Sequence, residues 1–544
     1  MPDSARSNRS GTSKRSGSLV DATLFPAGIE PRRVGRRRGR LVLTAVAAAS
    51  VTLVSACGGA SSGSSAAATT PPARFTIGMN EIFHNLDPDQ AVLEAPLQIL
   101  NLVGGTLTQF NADASQVQPG LASKWSTSAD GLTYTFTLRP GLTFSDGSAL
   151  HASDVAASFE REVNDKANAN AGVVSNWKSI TAPNDTTVVM TLSHQQPSLL
   201  SLLADGELGT VSPAAGVADA KNFYLKPISA GQYQIQSFSV SDAATVLTVN
   251  PHYYGPKPAV KELDFRYIND VNTRIVQLKS GAIDMALTLP ENTLNQLTGN
   301  VTGVVTPGYG GYYLYMNDRG SPLSDVNVRQ AISLAIDRKQ LSQTVWAGKA
   351  PALYGFEGSR FSDHENVLPT AVDTAKARQL LQGTPCAHGC NLNLMVRTGQ
   401  SSDMASIVAQ QLSAIGIHVS LQLTDPSIAG TNEANGKYQM EIGALYDYAN
   451  RPDIMLTYGL QSDGGINALY SGYSSKQMDA LIHTVYAEGG AARSAAMRQI
   501  SELYGKDLPF APLLEYAFVN GEKSSLTKWV TFEPSSYLHV ATAP

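Results

Sequence analysis

The sequence predicts an α/β protein, and three observations lead to this fold class. The chain has 544 residues, which is enough for roughly two or three domains with large buried cores. Hydrophobic residues make up 43% of it and charged residues 16%, proportions typical of a globular protein. From residue 272 onward, helical and strand patterns alternate, and this alternation indicates a parallel sheet covered by helices.

The part of the chain before residue 272 is predicted to mix strands and helices. Residues 134–139 alternate with a period of two, and Pro140-Gly141 marks a turn after them. Ser153-Asp154 predicts the N-cap of a helix that begins at Val155. Further strands are predicted at 74–80, 188–192, 244–250 and 260–268, and a further helix at 94–102.

The part after residue 272 is predicted to alternate helix and strand. A helix at 273–279 ends at Gly281 and leads into a strand at 283–288. The sequence contains no internal repeat. The other helices are predicted at 326–335, 373–381, 403–415, 475–487 and 491–506, and the other strands at 392–396, 418–423 and 510–520.

The N-terminal residues have the order of an export signal. Residues 1–40 contain ten lysines and arginines, residues 41–54 form an uncharged apolar run, and small residues follow. Such a run is too short to span a bilayer comfortably, so a permanent transmembrane helix is the weaker interpretation. Residues 1–56 are therefore predicted to be a signal peptide. The paired Arg32-Arg33 leaves twin-arginine export open beside the general secretory route.

The sequence Leu53-Val54-Ser55-Ala56-Cys57 resembles the bacterial lipobox. There the cysteine thiol receives a diacylglyceryl group, and two acyl chains suffice for stable anchoring. The alternative is an ordinary signal with a chance cysteine. Residues 57–72 are rich in Gly, Ser, Ala, Thr and Pro, which predicts a flexible tether.

Two cysteines remain in the body of the chain, Cys386 and Cys390. In an oxidising exported setting a short-loop disulfide is favoured. The alternative is a metal site with His388 between the two thiolates. We predict the disulfide and no metal site.

Charge and motifs exclude several other classes of protein. From Cys57 onward the chain has 30 basic and 42 acidic residues, a net charge of about −12, so nucleic acid is not an expected partner. The folded body contains no phosphate-binding loop and no H-E-x-x-H motif. A nucleophile-elbow pattern at 59–63 lies in the tether, without the strand and helix that it requires. The sequence therefore predicts neither an enzyme nor a cofactor.

Residues 119–161 (PGLASKWSTSADGLTYTFTLRPGLTFSDGSALHASDVAASFER) carry a specific pattern of Trp, DG-x-x-Y-x-F-x-LR-x-G, F-x-DG and DV. Further matches are NPHYYG at 250–255, LKSGAIDM at 278–285 and VRQAISLAIDR at 328–338. Together they resemble the family 5 solute-binding proteins of ABC importers, the dipeptide, oligopeptide and nickel receptors. One departure is ISAGQY at 228–233, where the family usually has Gly-Thr-Gly-Pro-Tyr.

The resemblance implies a two-lobed periplasmic-binding-protein-like fold of type II, with an extra subdomain in lobe I, mixed sheets and a hinge. Lobe I is expected at 73–270 and 510–544, and lobe II at 271–509. The resemblance implies that the protein is a monomeric lipoprotein on the outer face of the cytoplasmic membrane. It would capture a peptide between the lobes and deliver it to an ABC permease.

Candidate ligand contacts lie where strands end in loops that face the expected cleft. In peptide-binding relatives an aspartate after an aromatic residue pairs with the peptide's α-ammonium group, and Asp447 is the nearest match. The usual upstream tryptophan is absent, and Arg451 interrupts the spacing. The predicted contacts are Glu81, Phe83, His84, Tyr312, Tyr313, Tyr446, Asp447 and Arg451.

Other ligands and roles fit the same resemblance. A nickel or other metal chelate, an oligosaccharide or another small solute are the alternative ligands. A sensor that signals without transport is the alternative role.

Overall fold

The structure is a computed structural model that describes residues 70–543, apart from 92–93, 112–115, 167, 169, 362, 399–401, 448–451, 489 and 533–536. It is an α/β fold with mixed sheets, as the sequence predicts. The predicted signal peptide, Cys57 and Arg451 lie outside the described residues. Within the described residues, no helix has both the length and the apolar composition needed to cross a membrane.

Strands occur along the whole described chain. They are β1 (Arg74–Met79), β2 (Gly105–Thr106), β3 (Thr108–Phe110), β4 (Val117–Pro119), β5 (Ala122–Thr127), β6 (Thr133–Leu138), β7 (Trp177–Asn184), β8 (Thr187–Leu192), β9 (Thr210–Val211), β10 (Tyr233–Ser239), β11 (Ala244–Val249), β12 (Glu262–Tyr267), β13 (Met285–Ala286), β14 (Val301–Met316), β15 (Cys390–Arg397), β16 (Ile417–Thr424), β17 (Met440–Asp447), β18 (Phe510–Lys523), β19 (Val530–Phe532) and β20 (Leu538–Val540).

The longer helices concentrate in the second half of the chain, as the alternating pattern predicts. The helices are α1 (Glu94–Val103), α2 (Ala152–Asn164), α3 (Ala171–Val174), α4 (Leu199–Leu202), α5 (Gly206–Gly209), α6 (Ala214–Ala218), α7 (Ala220–Phe223), α8 (Val271–Ser280), α9 (Val326–Ala335), α10 (Arg338–Trp346), α11 (Thr374–Leu381), α12 (Asp403–Ser413), α13 (Pro426–Ala434), α14 (Pro452–Gly459), α15 (Gly465–Leu469), α16 (Lys476–Ala487) and α17 (Gly490–Asp507). Short 3₁₀ segments lie at Pro88–Gln90 and Glu291–Gln296.

Capping residues set the bounds of the helices. The Asp270 carboxylate accepts a hydrogen bond from the Thr273 N–H at 2.7 Å at the start of α8, and Gly281 ends this helix with a φ of 83°. Helix α2 begins at Ala152, and the Asp154 carboxylate accepts from the His151 N–H at 2.9 Å. The predicted cap at Ser153-Asp154 is therefore wrong, because Asp154 caps from inside the first turn.

A ten-stranded sheet runs through both halves of the chain, in the order β10-β11-β12-β1-β13-β18-β14-β17-β15-β16. Strand β1 pairs in parallel with β12 and β13, whereas β13 pairs antiparallel with β18. Five strands on one side of the β13–β18 pair precede residue 287, and five on the other side follow residue 300. Because β13 has only two residues, the two halves of the sheet are joined by a narrow pairing.

A separate antiparallel sheet, β5-β6-β8-β7, lies in the chain between β1 and β10. Helix α2 packs against it, and Phe159 meets Trp177 edge-on with ring centroids 5.8 Å apart. Phe136 and Phe144 are buried in the same cluster. Most of the aromatic residues in the 119–161 pattern therefore serve this core.

Buried side chains form four hydrophobic clusters. The first surrounds β1 and β12 and includes Phe75 and Phe265. The second belongs to the four-stranded sheet. The third contains residues of α9, α10 and α12, and the fourth includes Tyr313 and Phe510. The described chain therefore has several cores and is not organised around a single one.

Near the β13–β18 pair, the chain passes from one hydrophobic cluster to another more than once. Met285 and Leu287 belong to the first cluster, although they follow residue 271. Strand β18 contributes Leu513 and Val519 to the third cluster, and buried residues of the first cluster reappear at Val530. The C-terminal segment therefore joins the first core later than residue 510.

Strand β14 carries a bulge in the middle of the sheet. Residues 308–310 of β14 lie opposite the single residue Tyr516 of β18. Gly310 has a φ of 137°, and a Cβ on it would lie 2.2 Å from the carbonyl oxygen of Leu445. Glycine is therefore required at residue 310.

We expect Gly310→Ala to lower the free energy of unfolding by about 3 kcal/mol or more, because the new Cβ meets the backbone of β17 at a strained φ. The matched control is Gly299→Ala, where φ is 83° but no heavy atom lies within 4 Å of the Cβ position. Backbone strain alone predicts a loss of about 1–2 kcal/mol there. Urea unfolding measures both losses, and equal losses would contradict the close approach.

Candidate functional site

Two tyrosine rings stack across the bulge of β14. Tyr446 of β17 and Tyr516 of β18 flank this strand, and their ring centroids lie 3.8 Å apart with planes 3° from parallel. A Cβ on Gly308, on the strand between them, would lie 2.9 Å from the Tyr516 ring. Such an aromatic pair contributes about 0.5–1.5 kcal/mol beyond its burial. The absence of side chains in the bulge therefore lets the two rings meet.

Tyr312 and Phe518 extend the stack into a larger cluster. Phe518 meets both rings edge-on, with centroids 5.8 Å from Tyr446 and 4.9 Å from Tyr516. Tyr312 lies 5.1 Å from Tyr516 and 5.7 Å from Trp346. Burial raises the pKa of Tyr312 and of Tyr516 well above the ordinary value, so both phenols stay protonated at neutral pH. Tyr312, Tyr446, Tyr516 and Phe518 are called the tyrosine cluster below.

Asp447, the last residue of β17, directly follows Tyr446 of the tyrosine cluster, and successive side chains of a strand point to opposite faces. It is 3% exposed and lies opposite Tyr309 of β14. The Arg360 guanidinium lies 5.2 Å from the centroid of the Tyr309 ring. The Glu515 carboxylate accepts hydrogen bonds from the Ser359 N–H at 3.1 Å and from its hydroxyl at 2.9 Å. This edge of the bulge therefore carries charged groups of both signs.

Two glutamates approach the cluster from the first half of the chain. Glu81 follows β1 and accepts a hydrogen bond at 3.0 Å from the Ala95 N–H in the first turn of α1. Glu94 begins α1, is 6% exposed, and accepts a hydrogen bond at 2.8 Å from the Thr288 hydroxyl. Burial and the neighbouring tyrosines dominate the raised pKa of Tyr516, and the charge of Glu94 contributes to it. The loop after β1 and the tyrosine cluster are therefore neighbours.

Glu94 holds its proton unusually well for a carboxyl group. Its pKa is raised to about 7, first by burial and second by the charge of Glu81. The hydrogen bonds of Thr288 and Gln98 and the charge of Arg274 act in the opposite direction. Burial raises the pKa of Glu81 as well. Near neutral pH, Glu94 is therefore divided between its protonated and ionised forms.

Thr288 and Arg274 connect Glu94 to the point where the two halves of the sheet meet. Thr288 follows β13 with a φ of 50°, and its N–H donates to the Asn520 side chain of β18 at 2.9 Å. Arg274 of α8 is 1% exposed and donates to the carbonyl oxygens of Ile268 at 2.6 Å and Thr288 at 3.2 Å. Glu94 is therefore linked to the junction through Thr288, which hydrogen-bonds Glu94, Asn520 and Arg274.

The structure brings some of the predicted contacts together. Tyr312 and Tyr446 both contact Tyr516 at the bulge, and Glu81 lies near Glu94, whose charge acts on Tyr516. Asp447 follows Tyr446 but pairs with Tyr309, on the other face of the sheet. Tyr313 lies on the opposite face of β14, because successive side chains of a strand alternate. It is fully buried in the fourth cluster.

The other predicted contacts are placed apart from the bulge. Phe83 is buried in the first cluster and stacks on Phe238 with ring centroids 5.3 Å apart. His84 is exposed on the same loop. Arg451 lies outside the described residues.

Sequence reasoning did not identify Glu94, Tyr516 and Phe518. Tyr516 and Phe518 share one face of a predicted strand, which was an available signal. The pairing of that strand beside β14, and hence the stack on Tyr446, is a long-range feature that the local pattern does not contain. Glu94 gave no signal, because its hydrogen-bond partner Thr288 is 194 residues away.

Cys386 and Cys390 are joined by a disulfide, with Cα atoms 5.0 Å apart. The bond closes the loop that leads into β15, and His388 in this loop is exposed. Across the part of the chain that the structure describes, no group of three or more metal-binding side chains is placed to hold a metal ion.

We expect Glu94→Gln to change the pH dependence of stability. Folded Glu94 keeps its proton up to about pH 7, whereas in the unfolded chain it titrates near 4.5. Between these values the folded chain binds the extra proton, so the free energy of unfolding falls as pH rises, by up to roughly 3 kcal/mol from this residue. The glutamine variant is expected to lack this part of the decline. Urea unfolding from pH 4.5 to 8 measures it.

The control for this experiment is Glu502→Gln, an exposed carboxylate on α17. Burial also raises the pKa of Glu441 to about 8 and of Glu522 to about 7. Glu441 and Glu522 are present in wild type and in both variants. The difference in the pH dependence of stability between Glu94→Gln and wild type therefore isolates Glu94. Parallel stability curves for these two proteins would refute the assignment.

Solved structures of other proteins share the fold. NikA from Brucella suis in complex with Fe(III)-EDTA gives a TM-score of 0.76 at 22% identity, covering 86% of this chain and 99% of that chain. DppA from Helicobacter pylori in complex with the peptide STSA gives 0.69 at 21% identity, covering 86% of this chain and 98% of that chain. Both confirm the type II architecture that the sequence predicts.

Sequence relatives and a family model lead to the same group. The glutathione-binding protein GsiB of Salmonella typhi is 26% identical over 430 residues, which are 76% of this chain and 83% of the relative. GsiB of Escherichia coli is 26% identical over 422 residues, 75% of this chain and 82% of the relative. The model described as bacterial extracellular solute-binding proteins, family 5 Middle, matches residues 116–467. The chain therefore belongs to family 5 of the bacterial extracellular solute-binding proteins.

Proposed function

We propose that this protein captures a peptide between two lobes and delivers it to an ABC permease. The family binds peptides or small solutes and works with ABC permeases, which supports the coarser part of the proposal. DppA, which shares the fold, holds a peptide in its structure. The more specific assignment to peptides depends on Asp447.

The two lobes of the proposal follow the two halves of the large sheet, except that β13 falls within the bounds of lobe II and β18 within those of lobe I. Lobe I, at 73–270 and 510–544, contains most of the first hydrophobic cluster and the second, and lobe II, at 271–509, contains most of the third and fourth. The ligand would lie between them, near the β13–β18 pair. Clefts between domains are frequent small-molecule sites.

Asp447 is the observation that carries the peptide assignment. It is a buried carboxylate at the end of β17, beside Tyr446 and opposite Tyr309. A peptide's α-ammonium group would pair with it at the end of β17. An enclosed pair of this kind costs about 2–5 kcal/mol when one partner is removed. The side chain at 447 is therefore the proposed anchor of the ligand.

Capture requires that the ligand bind the closed form more tightly than the open one. Asp447 lies in lobe II, at the end of β17, whereas Glu81 and Glu94 lie in lobe I. A ligand that contacts both groups does so only when the lobes are together. This geometry favours closure around a bound peptide.

We expect Asp447→Asn to weaken binding of tetra-alanine by roughly 30-fold or more, because the ammonium group loses its charged partner. Tetra-alanine with an acetylated N-terminus should bind wild type weakly and should respond little to the variant. Calorimetry with both peptides measures this, and Glu502→Gln on α17 is the control. Equal loss of both peptides, or binding of a metal chelate in place of peptides, would contradict the assignment.

The proposed location is the outer face of the cytoplasmic membrane, with Cys57 as the lipidated first residue after cleavage. The family is extracellular, which supports the export of the chain. We expect Cys57→Ser to move the protein from the membrane fraction to the soluble fraction, because two acyl chains are lost. A Ser62→Ala variant in the tether is the control. Membrane retention of the Cys57→Ser variant would rule out this anchor.

A further inference from the structure

Glu94 has one carboxylate oxygen that is buried without a hydrogen-bond partner. Its Oε2 accepts from the Thr288 hydroxyl and the Gln98 side chain also bonds this carboxyl, whereas its Oε1 has no partner within the described residues. The whole residue is 6% exposed. An unpaired buried acceptor costs about 1–3 kcal/mol, and more when it is charged. A bound group that donates a hydrogen bond to Oε1 would remove this cost.

The surroundings of Glu94 favour a positive charge. Glu81 is near enough to raise the pKa of Glu94, after the larger effect of burial. Arg274 is a nearby cation, and its charge lowers the pKa of Glu94. Its hydrogen bonds within the described chain go to the carbonyl oxygens of Ile268, Asn269 and Thr288. When both carboxyl groups are ionised, they therefore carry more negative charge than the one nearby guanidinium balances.

An aromatic ring completes this environment. The charge of Glu94 contributes to the raised pKa of Tyr516, so the two side chains are near each other. The Tyr516 ring also stacks on Tyr446 within the tyrosine cluster. The face of an aromatic ring attracts a cation by about 0.5–2 kcal/mol, more where water is excluded. Carboxylates beside a ring are the chemistry that recognises an ammonium or guanidinium group.

We propose that Glu94 and Glu81 form a subsite that binds a positively charged group of the ligand, an ammonium or a guanidinium, beside Tyr516. The subsite rests on the proposed function, since the ligand must enter the same cleft. It is separate from Asp447, which lies on β17 and takes the α-ammonium group. A peptide with a lysine or arginine side chain would then contact charged groups of both lobes.

The subsite makes binding depend on pH. Glu94 is protonated below about pH 7, so a cationic group must displace that proton in order to pair with it. Arg274 keeps its charge in this range, because burial lowers its pKa only to about 10. The preference for a cationic ligand is therefore expected to grow from pH 6 to pH 8.

The first test uses four tetra-alanine peptides with one lysine at each position in turn, each paired with its norleucine analogue. Wild type is expected to bind at least one lysine peptide about 10-fold more tightly than its analogue at pH 8, and less selectively at pH 6. Glu94→Gln is expected to bring this ratio close to one. Asp447→Asn should weaken both members of the pair and leave their ratio in place.

The second test needs no peptide and uses agmatine, which carries an ammonium and a guanidinium group. At pH 8, about 10 mM agmatine is expected to raise the unfolding temperature of wild type by about 2 °C beyond sodium chloride of equal ionic strength. Glu94→Gln should show less than half of this rise. If Glu94→Gln does not fold, Glu81→Gln replaces it in both tests.

The outcomes separate the subsite from the proposed function. If no peptide binds while agmatine stabilises wild type and not the variant, the peptide assignment fails and the subsite stands. If peptides bind with the same lysine preference in wild type and Glu94→Gln, the subsite is overturned and the peptide assignment stands. The absence of any preference in wild type, or equal agmatine shifts in both proteins, also overturns the subsite. Glu94 is then a structural carboxyl of the junction.

Discussion

The candidate site depends on the absence of side chains in the bulge of β14. Gly310 has a backbone conformation that other residues avoid, and its Cα lies against the backbone of β17. Gly308 leaves room for the ring of Tyr516. Without these two residues, Tyr446 and Tyr516 would be held apart by the strand between them. The glycines therefore determine both the spacing of the three strands and the packing of the two rings.

The electrostatics of the site follow from burial. The tyrosines keep their protons, and Glu94 is raised into the neutral range, because water is excluded from around them. In such surroundings an isolated charge is costly and a paired charge is strongly held. A ligand of opposite charge would bind more tightly where water is excluded. The acidic residues at the bulge and at α1 therefore suit a cationic ligand group better than a neutral one.

The sequence predicts the α/β class and many of the elements, because these depend on local periodicity and capping. The helix that ends at Gly281 and the strands around 134–139 and 510–520 are examples. The site was predicted only in part. Tyr312 and Tyr313 are adjacent in sequence but lie on opposite faces of β14. Phe83 was predicted as a loop residue that contacts ligand, whereas in the structure it stacks on Phe238. Their roles are set by pairing across long sequence separations, which local patterns do not record.

The hydrogen bonds of Glu94 lie at the junction between the two halves of the large sheet. Strand β13 offers only Met285 and Ala286 for pairing with β18, so the proposed movement of the halves would change few backbone hydrogen bonds. The hydrogen bonds of Thr288 to Glu94 and to Asn520 lie directly beside this pair. In the proposed function, a ligand group that pairs with Glu94 would act on the residues that connect the lobes. Binding and closure would then be coupled by the same few hydrogen bonds, without a longer pathway through the cores.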